Sequence, residues 1–71
     1  MRLIRLKKVM ELTGLSRASV YKFMANDTFP KSVPLGDRAV AWVEQEVTDW
    51  VLDKIAERDA NNKNNSVSIV A

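Results

Sequence analysis

The stretch GLSRASVYKFM, residues 14–24, decides how this 71-residue chain folds. Gly14 can adopt the positive φ that ends a helix, and Leu15 then supplies an apolar contact across the turn. Ser16 is a favoured N-cap because its hydroxyl accepts hydrogen bonds from the free amides of the following turn. These signals predict a second helix over residues 17–25, and the turn-forming residues that end it are Asn26, Asp27 and Thr28.

The predicted second helix has two chemically different sides. At 100° per residue, its apolar side chains fall together, and they are Val20, Phe23 and Met24. The other side carries small, aromatic and basic residues, namely Ala18, Tyr21, Lys22 and Ala25, with Arg17 at the exposed amino-terminal end. Upstream, the apolar spacing of Val9, Met10 and Leu12 predicts a short first helix that starts near Lys7 and ends at Gly14. Two helices joined by such a turn form a helix-turn-helix.

The outer side of the second helix has the composition of a surface that contacts DNA. Arg17 can pair with guanine O6 and N7 in the major groove, while serine and lysine side chains reach phosphates and alanines permit close approach. The candidate residues are Ser16, Arg17, Ala18, Ser19, Tyr21 and Lys22. The alternative is that Arg17 and Lys22 are solvated surface groups and that Tyr21 is a partly buried core residue with its hydroxyl at the edge. The agreement of turn, cap and two-sided pattern favours DNA binding.

A β-hairpin is predicted after the second helix. Residues 31–35 and 38–42 flank Gly36-Asp37, a pair typical of a two-residue turn. The expected register pairs Val33 with Val40, Lys31 with Trp42 and Leu35 with Arg38, and Pro34 requires an edge strand. This exposed hairpin supplies the wing of a winged helix, on which we expect Lys31 and Arg38 to contact DNA, with Asp37 pairing with Arg38.

The remaining segments complete one domain over residues 1–59. Residues 2–6 predict either a short strand or an extended lead-in. Apolar residues at three- and four-residue steps predict an amphipathic helix from Glu44 to about Arg58, with Trp50 in its buried stripe and Leu52 outside it. Val43 is a poor cap, which leaves the start of this helix open. Residues 60–71, rich in asparagine, predict a flexible tail in which residues 67–70 form at most a weak strand.

Composition excludes several classes of protein. The chain has no Cys and no His, so neither a disulfide framework nor a zinc site is expected. Glu44 and Asp49 lie about 140° apart around the predicted helix, and no nucleophile has a base beside it, so we expect no enzyme and no catalytic residues. No apolar run is long enough for a membrane helix, and the basic start lacks the apolar core of a signal peptide. The expected location is therefore the cytoplasm.

Charge is distributed unevenly along the chain. Residues 1–38 hold eight Lys and Arg against three Asp and Glu, a balance of +5, whereas residues 39–71 hold three against six, a balance of −3. A basic half joined to an acidic half favours one surface that binds a polyanion and another that is kept away from it. The basic residues Arg5, Lys7 and Lys8 are candidate phosphate contacts.

Several of these motifs occur together in one known family. The runs RLIRLKKVMELTGLSRASVYKFM, FPKSVPLGDRAVAW and EQEVTDWV resemble the AlpA family of prophage regulators, small relatives of the MerR-like and excisionase winged-helix domains. The resemblance covers about residues 3–58. It implies a mainly α fold of three helices with a small β-hairpin as wing, in which the residues that face the major groove are Ser16, Arg17, Ser19, Tyr21 and Lys22.

The resemblance also implies a function. Such proteins bind double-stranded DNA of a prophage or genomic island, where they regulate transcription of an integrase gene or act as recombination directionality factors (excisionases) that bend attachment-site DNA. The alternatives are a plain repressor or activator without a role in recombination, and a protein-binding adaptor that uses Trp50 and Leu52. Expected partners are DNA, further copies of the chain and integrase, with no cofactor, small-molecule substrate or membrane.

Overall fold

Two short helices and a three-stranded antiparallel sheet pack beneath a long third helix. The computed structural model describes the backbone of residues 1–70 and the side chains of residues 1–61. The elements are β1 (Leu3–Ile4), α1 (Leu6–Thr13), α2 (Arg17–Ala25), β2 (Val33–Gly36), β3 (Ala39–Val43) and α3 (Glu44–Val70). The predicted winged helix-turn-helix class is confirmed, and no helix in the described part of the chain is both long and apolar enough to span a bilayer.

Local hydrogen bonds form the turn between α1 and α2 as the sequence predicts. Gly14 has φ 74°, and its amide donates to the Met10 carbonyl at 2.8 Å. Thr13 reinforces this turn, because its hydroxyl donates to the Val9 carbonyl at 2.8 Å and accepts the Leu15 amide at 3.2 Å. A residue with a Cβ would be strained at this φ, so Gly14 is required by the backbone rather than by lack of space.

The strand order β1-β3-β2 makes β3 the central strand. Residues Leu3 and Ile4 pair with Val43 and Trp42, so the amino-terminal segment is a strand and not merely an extended lead-in. Strand β2 lies at an edge, as Pro34 requires. The sequence predicts a hairpin that projects from the domain along its whole length. In the structure the end of β3 is held in the core instead, because Trp42 is fully buried.

The predicted register of the hairpin is wrong by one residue. Val33 pairs with Ala41 and Pro34 with Val40, and the pairing then shifts so that Gly36 faces Ala39. Leu35 is the extra residue of a β-bulge. The turn therefore lies at Asp37 and Arg38 rather than at Gly36 and Asp37. Positive φ values at both Gly36 (111°) and Asp37 (37°) explain how the chain reverses one residue later than expected.

The core contains side chains from each element except β2. The buried cluster consists of Ile4, Val9, Val20, Phe29, Trp42 and Val47. Sequence patterns identified the helical members but treated Phe29 only as the start of an extended segment. In the structure its ring packs edge to face against Trp50, with centroids 4.9 Å apart. Trp50 is partly buried against this core, as predicted, and its indole N–H donates to the Thr28 carbonyl at 2.6 Å.

The long helix begins at Glu44, as predicted, and ends later than its sequence suggests. Although Val43 cannot cap it, the Glu44 amide donates to the Arg2 carbonyl at 2.7 Å, so the residue just before β1 supplies the missing acceptor. No glycine or proline follows Gly36, and α3 continues to Val70 rather than ending near Arg58. Residues 67–70 are therefore helical in backbone and not a strand. The mobility of the tail over residues 60–71 stays a prediction, because the side chains of residues 62–71 lie outside the described residues.

We predict that Phe29→Ala lowers the free energy of unfolding by about 3–5 kcal/mol, because it leaves a cavity under Trp50. A 71-residue domain has only roughly 4–11 kcal/mol in total, so a large unfolded fraction is expected. Urea titration followed by circular dichroism measures the change. The matched control is Leu52→Ala, since Leu52 is 55% exposed and its truncation should change stability by less than about 0.5 kcal/mol. Equal effects of the two substitutions would contradict the described core.

Candidate nucleic-acid interface

The amino terminus of α2 is held by a pair of serines. The Ser16 hydroxyl oxygen accepts the Ser19 amide at 3.2 Å, and the same hydroxyl donates to Ser19 Oγ at 3.0 Å. The predicted N-cap is thus confirmed. Both hydroxyls are occupied within the protein, but each oxygen keeps acceptor capacity and the Ser19 hydroxyl proton stays available as a donor. The first free amides of α2, those of Arg17 and Ala18, point out of the helix end where an anion is favoured.

Arg17 is the first residue of α2 and lies next to an aromatic ring. Its guanidinium carbon is 6.0 Å from the ring centroid of Tyr21, one helical turn later. Tyr21 in turn contacts Trp42 edge to face, with centroids 6.4 Å apart and planes at 67°. Tyr21 remains 40% exposed. Tyr21 is therefore both a partly buried core residue and a surface residue, since one part of its ring packs on the core and the rest faces solvent.

Burial along α2 confirms the two predicted sides of this helix. Val20 is fully buried, and Phe23 and Met24 are partly buried. The exposed side chains of the helix include Arg17, Ala18, Tyr21, Lys22 and Ala25, whereas Ser19 is partly buried. Lys22 has no ion pair among the side chains that the structure describes. The outer side of α2 is thus free to approach another surface.

The wing carries one cation at its tip. Arg38 lies in the turn between β2 and β3 and is exposed. The predicted pairing with Asp37 is wrong, since no salt bridge joins these two residues in the structure. The positive φ of Asp37 belongs to the later turn, which sequence reasoning did not anticipate.

Lys31 lies outside the hairpin strands, contrary to the expectation that it belongs to the wing. Its ammonium group is 2.7 Å from the Asp27 carboxylate and donates to the Met24 carbonyl at the end of α2. The Met24 carbonyl also accepts the Asp27 amide at 3.1 Å, and the ammonium group adds a second hydrogen bond there and places a cation at the negative end of the helix. The hydrogen bond and the charge of Lys31 hold the pKa of Asp27 below its ordinary value. The ion pair therefore stabilises the folded state at neutral pH. This stabilisation is lost as the pH falls through the lowered pKa of Asp27.

A second basic region surrounds β1 and the start of α1. Arg2, Arg5, Lys7 and Lys8 border one shallow depression together with Leu3, Ile4 and Glu11. Within this set, Lys8 pairs with Glu11 at 3.9 Å and Arg2 with Glu44 at 3.7 Å.

Lys7 also connects this region to α2. Lys7 and Arg17 border a common depression between α1 and α2, so the structure brings this candidate phosphate contact close to the start of α2. Arg2 borders the same basic region but is absent from the predicted site, although its position three residues before Arg5 was an available signal.

Acidic residues of α3 border a different groove. Glu46, Asp49 and Asp53 lie at three- and four-residue steps and face a surface that includes Val33 and Trp50. Among the described residues, no group of three or more Asp, Glu, His or Cys side chains is arranged to hold a metal ion. Lys31 borders the same groove and Arg2 pairs with Glu44, so the basic and acidic halves of the sequence are not fully separated in the fold.

Comparison with known proteins assigns the chain to a family. Residues 2–55 match the family model for the prophage CP4-57 regulatory protein, AlpA. The chain belongs to the AlpA family. The matched range runs from β1 into α3 and includes α2 and the whole hairpin. It confirms the resemblance that the motifs indicated.

This AlpA-family chain is similar to the following two proteins. An uncharacterised protein of enterobacteria phage P4, ORF88, is 44% identical over 57 residues, which are 80% of this chain and 65% of the phage protein. The DNA-binding transcriptional activator AlpA of Escherichia coli K12 is 36% identical over 56 residues, which are 70% of this chain and 80% of the activator. The match therefore spans slightly less than two thirds of the phage P4 relative.

We predict that substitutions of Ser16 can separate its role as the N-cap of α2 from its proximity to DNA. Ser16→Ala removes the cap and should lower the free energy of unfolding by about 0.5–2 kcal/mol. Ser16→Asp keeps an equivalent cap and should retain stability, but its carboxylate should weaken binding to duplex DNA through repulsion of phosphates. Thermal unfolding and fluorescence anisotropy with a labelled duplex measure the two quantities. A loss of stability in Ser16→Asp as large as in Ser16→Ala would contradict the capping role.

Proposed function

We propose that this AlpA-family protein is a sequence-specific DNA-binding regulator of a prophage or genomic island. The observation that carries the proposal is the exposed outer side of α2, where Arg17 stands at a capped helix start above a buried apolar side. Support comes from the family match and from the 36% identical relative that bears the name of a DNA-binding transcriptional activator. Its natural site of action would be the DNA of the bacterial cytoplasm.

In the proposed complex, α2 enters the major groove with its first turn. Arg17 would pair with guanine, the commonest specific contact of an arginine, and Lys22 and Ser19 would contact phosphates on either side. The free amides at the start of α2 favour a further phosphate. Ala18 leaves room for the helix to approach the base edges.

The wing and the amino terminus would add contacts to the DNA backbone. Arg38 at the hairpin tip is positioned to reach the backbone or the minor groove, and Arg5, Lys7 and Lys8 would contact phosphates beside α1. Lys31 contributes less than expected to this surface, because its ammonium group is already bound to Asp27 and the end of α2.

A single module of this size would cover about 600–1,000 Å² of protein surface on DNA. Such an area rarely gives tight selective binding, so we infer that several copies bind adjacent sites. We further propose that these sites lie upstream of an integrase gene or at an attachment site, where binding would activate transcription or favour excision. Both roles need the same groove contacts. A footprint over the DNA flanking the gene and over the nearest attachment site distinguishes them, and protection of neither would contradict the proposal.

We predict that Arg17→Ala relaxes base preference, with a loss of about 1–3 kcal/mol for the preferred duplex and little change for others. Arg38→Ala should instead weaken binding to all duplexes by similar factors, because a backbone contact carries no sequence information. Gel-shift titrations with the preferred duplex and a shuffled duplex measure both effects, and Leu52→Ala is a control that should change neither. Equal, sequence-independent losses for the two arginine variants would refute the assigned roles.

We also predict a strong dependence of affinity on salt. If about five cations neutralise phosphates, log K should fall with log salt concentration at a slope near −4.5. Arg38→Ala should reduce the magnitude of this slope by about 0.9. The matched control is Lys54→Ala, since Lys54 lies on α3 next to Glu57 and Trp50 and should leave the slope unchanged. An affinity that does not depend on salt would contradict the electrostatic part of the proposal.

A further inference from the structure

Tyr21 connects the recognition arginine to the hydrophobic core. The centroid of its ring lies 6.0 Å from the guanidinium carbon of Arg17. It also lies 6.4 Å from the ring centroid of Trp42. Trp42 is fully buried in the central strand, where it pairs with Ile4. The three side chains thus form a continuous series from the sheet to the start of α2, which we name the Trp42–Tyr21–Arg17 series.

We propose that Tyr21 is a positioning residue, which orients Arg17 for the major groove and is itself held in place by Trp42. This inference rests on the proposed function, since it assigns Arg17 to base recognition. It gives Tyr21 a role different from the direct DNA contact expected from the sequence. The function of its ring is to restrict the arginine, and its hydroxyl is dispensable.

The physical reason is the flexibility of an arginine at a helix end. An exposed Arg17 without support samples many rotamers, and ordering it on binding opposes association. A tyrosine four residues later lies on the same side of the helix, and an aromatic face attracts a guanidinium. The ring can act in this way only if it is itself fixed. Its edge-to-face contact with a fully buried indole fixes it.

Trp42 is suited to this role by shape rather than by hydrogen bonding. Its indole N–H is buried and has no hydrogen-bond partner among the described residues. A buried donor without a partner is unfavourable, so replacement by an aromatic ring that lacks this group removes a cost as well as a contact. Trp42→Phe is therefore the variant that shortens the aromatic support under Tyr21 while it keeps an aromatic ring in the core.

The experiment starts from a duplex selected by the wild-type protein from a random-sequence library. The base pair read by Arg17 is the one at which Arg17→Ala loses preference. Binding to the selected duplex and to a duplex changed at this base pair is then measured for Tyr21→Leu, Tyr21→Phe and the double variant with Arg17→Ala. The measured quantity is the ratio of the two dissociation constants.

We expect Tyr21→Leu to reduce this ratio about two- to fivefold, the range of an exposed cation–π contact. Tyr21→Phe should retain the wild-type ratio, since it keeps the ring. The double variant should show the ratio of Arg17→Ala alone, because Tyr21 acts through Arg17. Lys22→Ala is the control on the same helix, and it should weaken both duplexes without changing their ratio.

A second measurement does not require DNA. The order parameter of the Arg17 side-chain Nε–H group, measured by NMR relaxation in the free protein, should fall in Tyr21→Leu and in Trp42→Phe and stay unchanged in Tyr21→Phe. Thermal unfolding verifies that each variant is folded. This readout would not change if Tyr21 had only a structural role in the domain.

The possible failures can be told apart. If Arg17→Ala leaves base preference unchanged, the base-reading role in the proposed function is wrong. If Arg17→Ala relaxes preference but Tyr21→Leu leaves both the ratio and the Arg17 order parameter unchanged, only the positioning role is overturned. A loss of preference in Tyr21→Phe equal to that in Tyr21→Leu would show a contact made by the hydroxyl, and it would also overturn the inference.

Discussion

The burial of Trp42 is the interaction on which the rest of this small fold depends. The cluster around it takes Ile4 from β1, Val9 from α1, Val20 from α2 and Val47 from α3, so one indole ring brings four elements together. Burial of an aromatic side chain of this size contributes about 4–6 kcal/mol, against roughly 4–11 kcal/mol of total stability for a chain of this length. The lost hydrogen bond of the indole N–H, about 1–3 kcal/mol, is smaller than this gain. Packing therefore outweighs the unsatisfied donor.

The helix-turn-helix could be predicted from sequence because its signals are local. A glycine with positive φ, a capping serine three residues before the amide that it binds, and an apolar pattern at helical spacing all act within one or two turns. The outer side of α2, with Arg17, Tyr21 and Lys22, follows directly from this geometry. These features appear in the structure as expected, and the identity of the capping partner, Ser19, is a detail of the same local rule.

The register of the hairpin and the carboxyl end of α3 could not be predicted in the same way, because long-range contacts and small energy differences decide them. Gly36 and Asp37 both accept positive φ, so the sequence permits reversal at either of two positions, and the bulge at Leu35 resolves the choice. Helix α3 starts at Glu44 as predicted, but the acceptor for the Glu44 amide is the Arg2 carbonyl, which lies more than forty residues away in the chain. Lys31 was assigned to the wing for the same reason, since its actual partner at the end of α2 becomes visible only when the turn at Asp27 is known.

The outer edge of β2 has a consequence for how neighbouring molecules behave when they are crowded. An unpaired strand edge is a template to which another chain can add a strand, and this danger rises wherever many copies are held side by side. Here Pro34 lacks an amide donor, and the bulge at Leu35 interrupts the regular spacing of backbone groups along the same edge. Addition of a strand from a neighbouring molecule along this edge is thereby disfavoured.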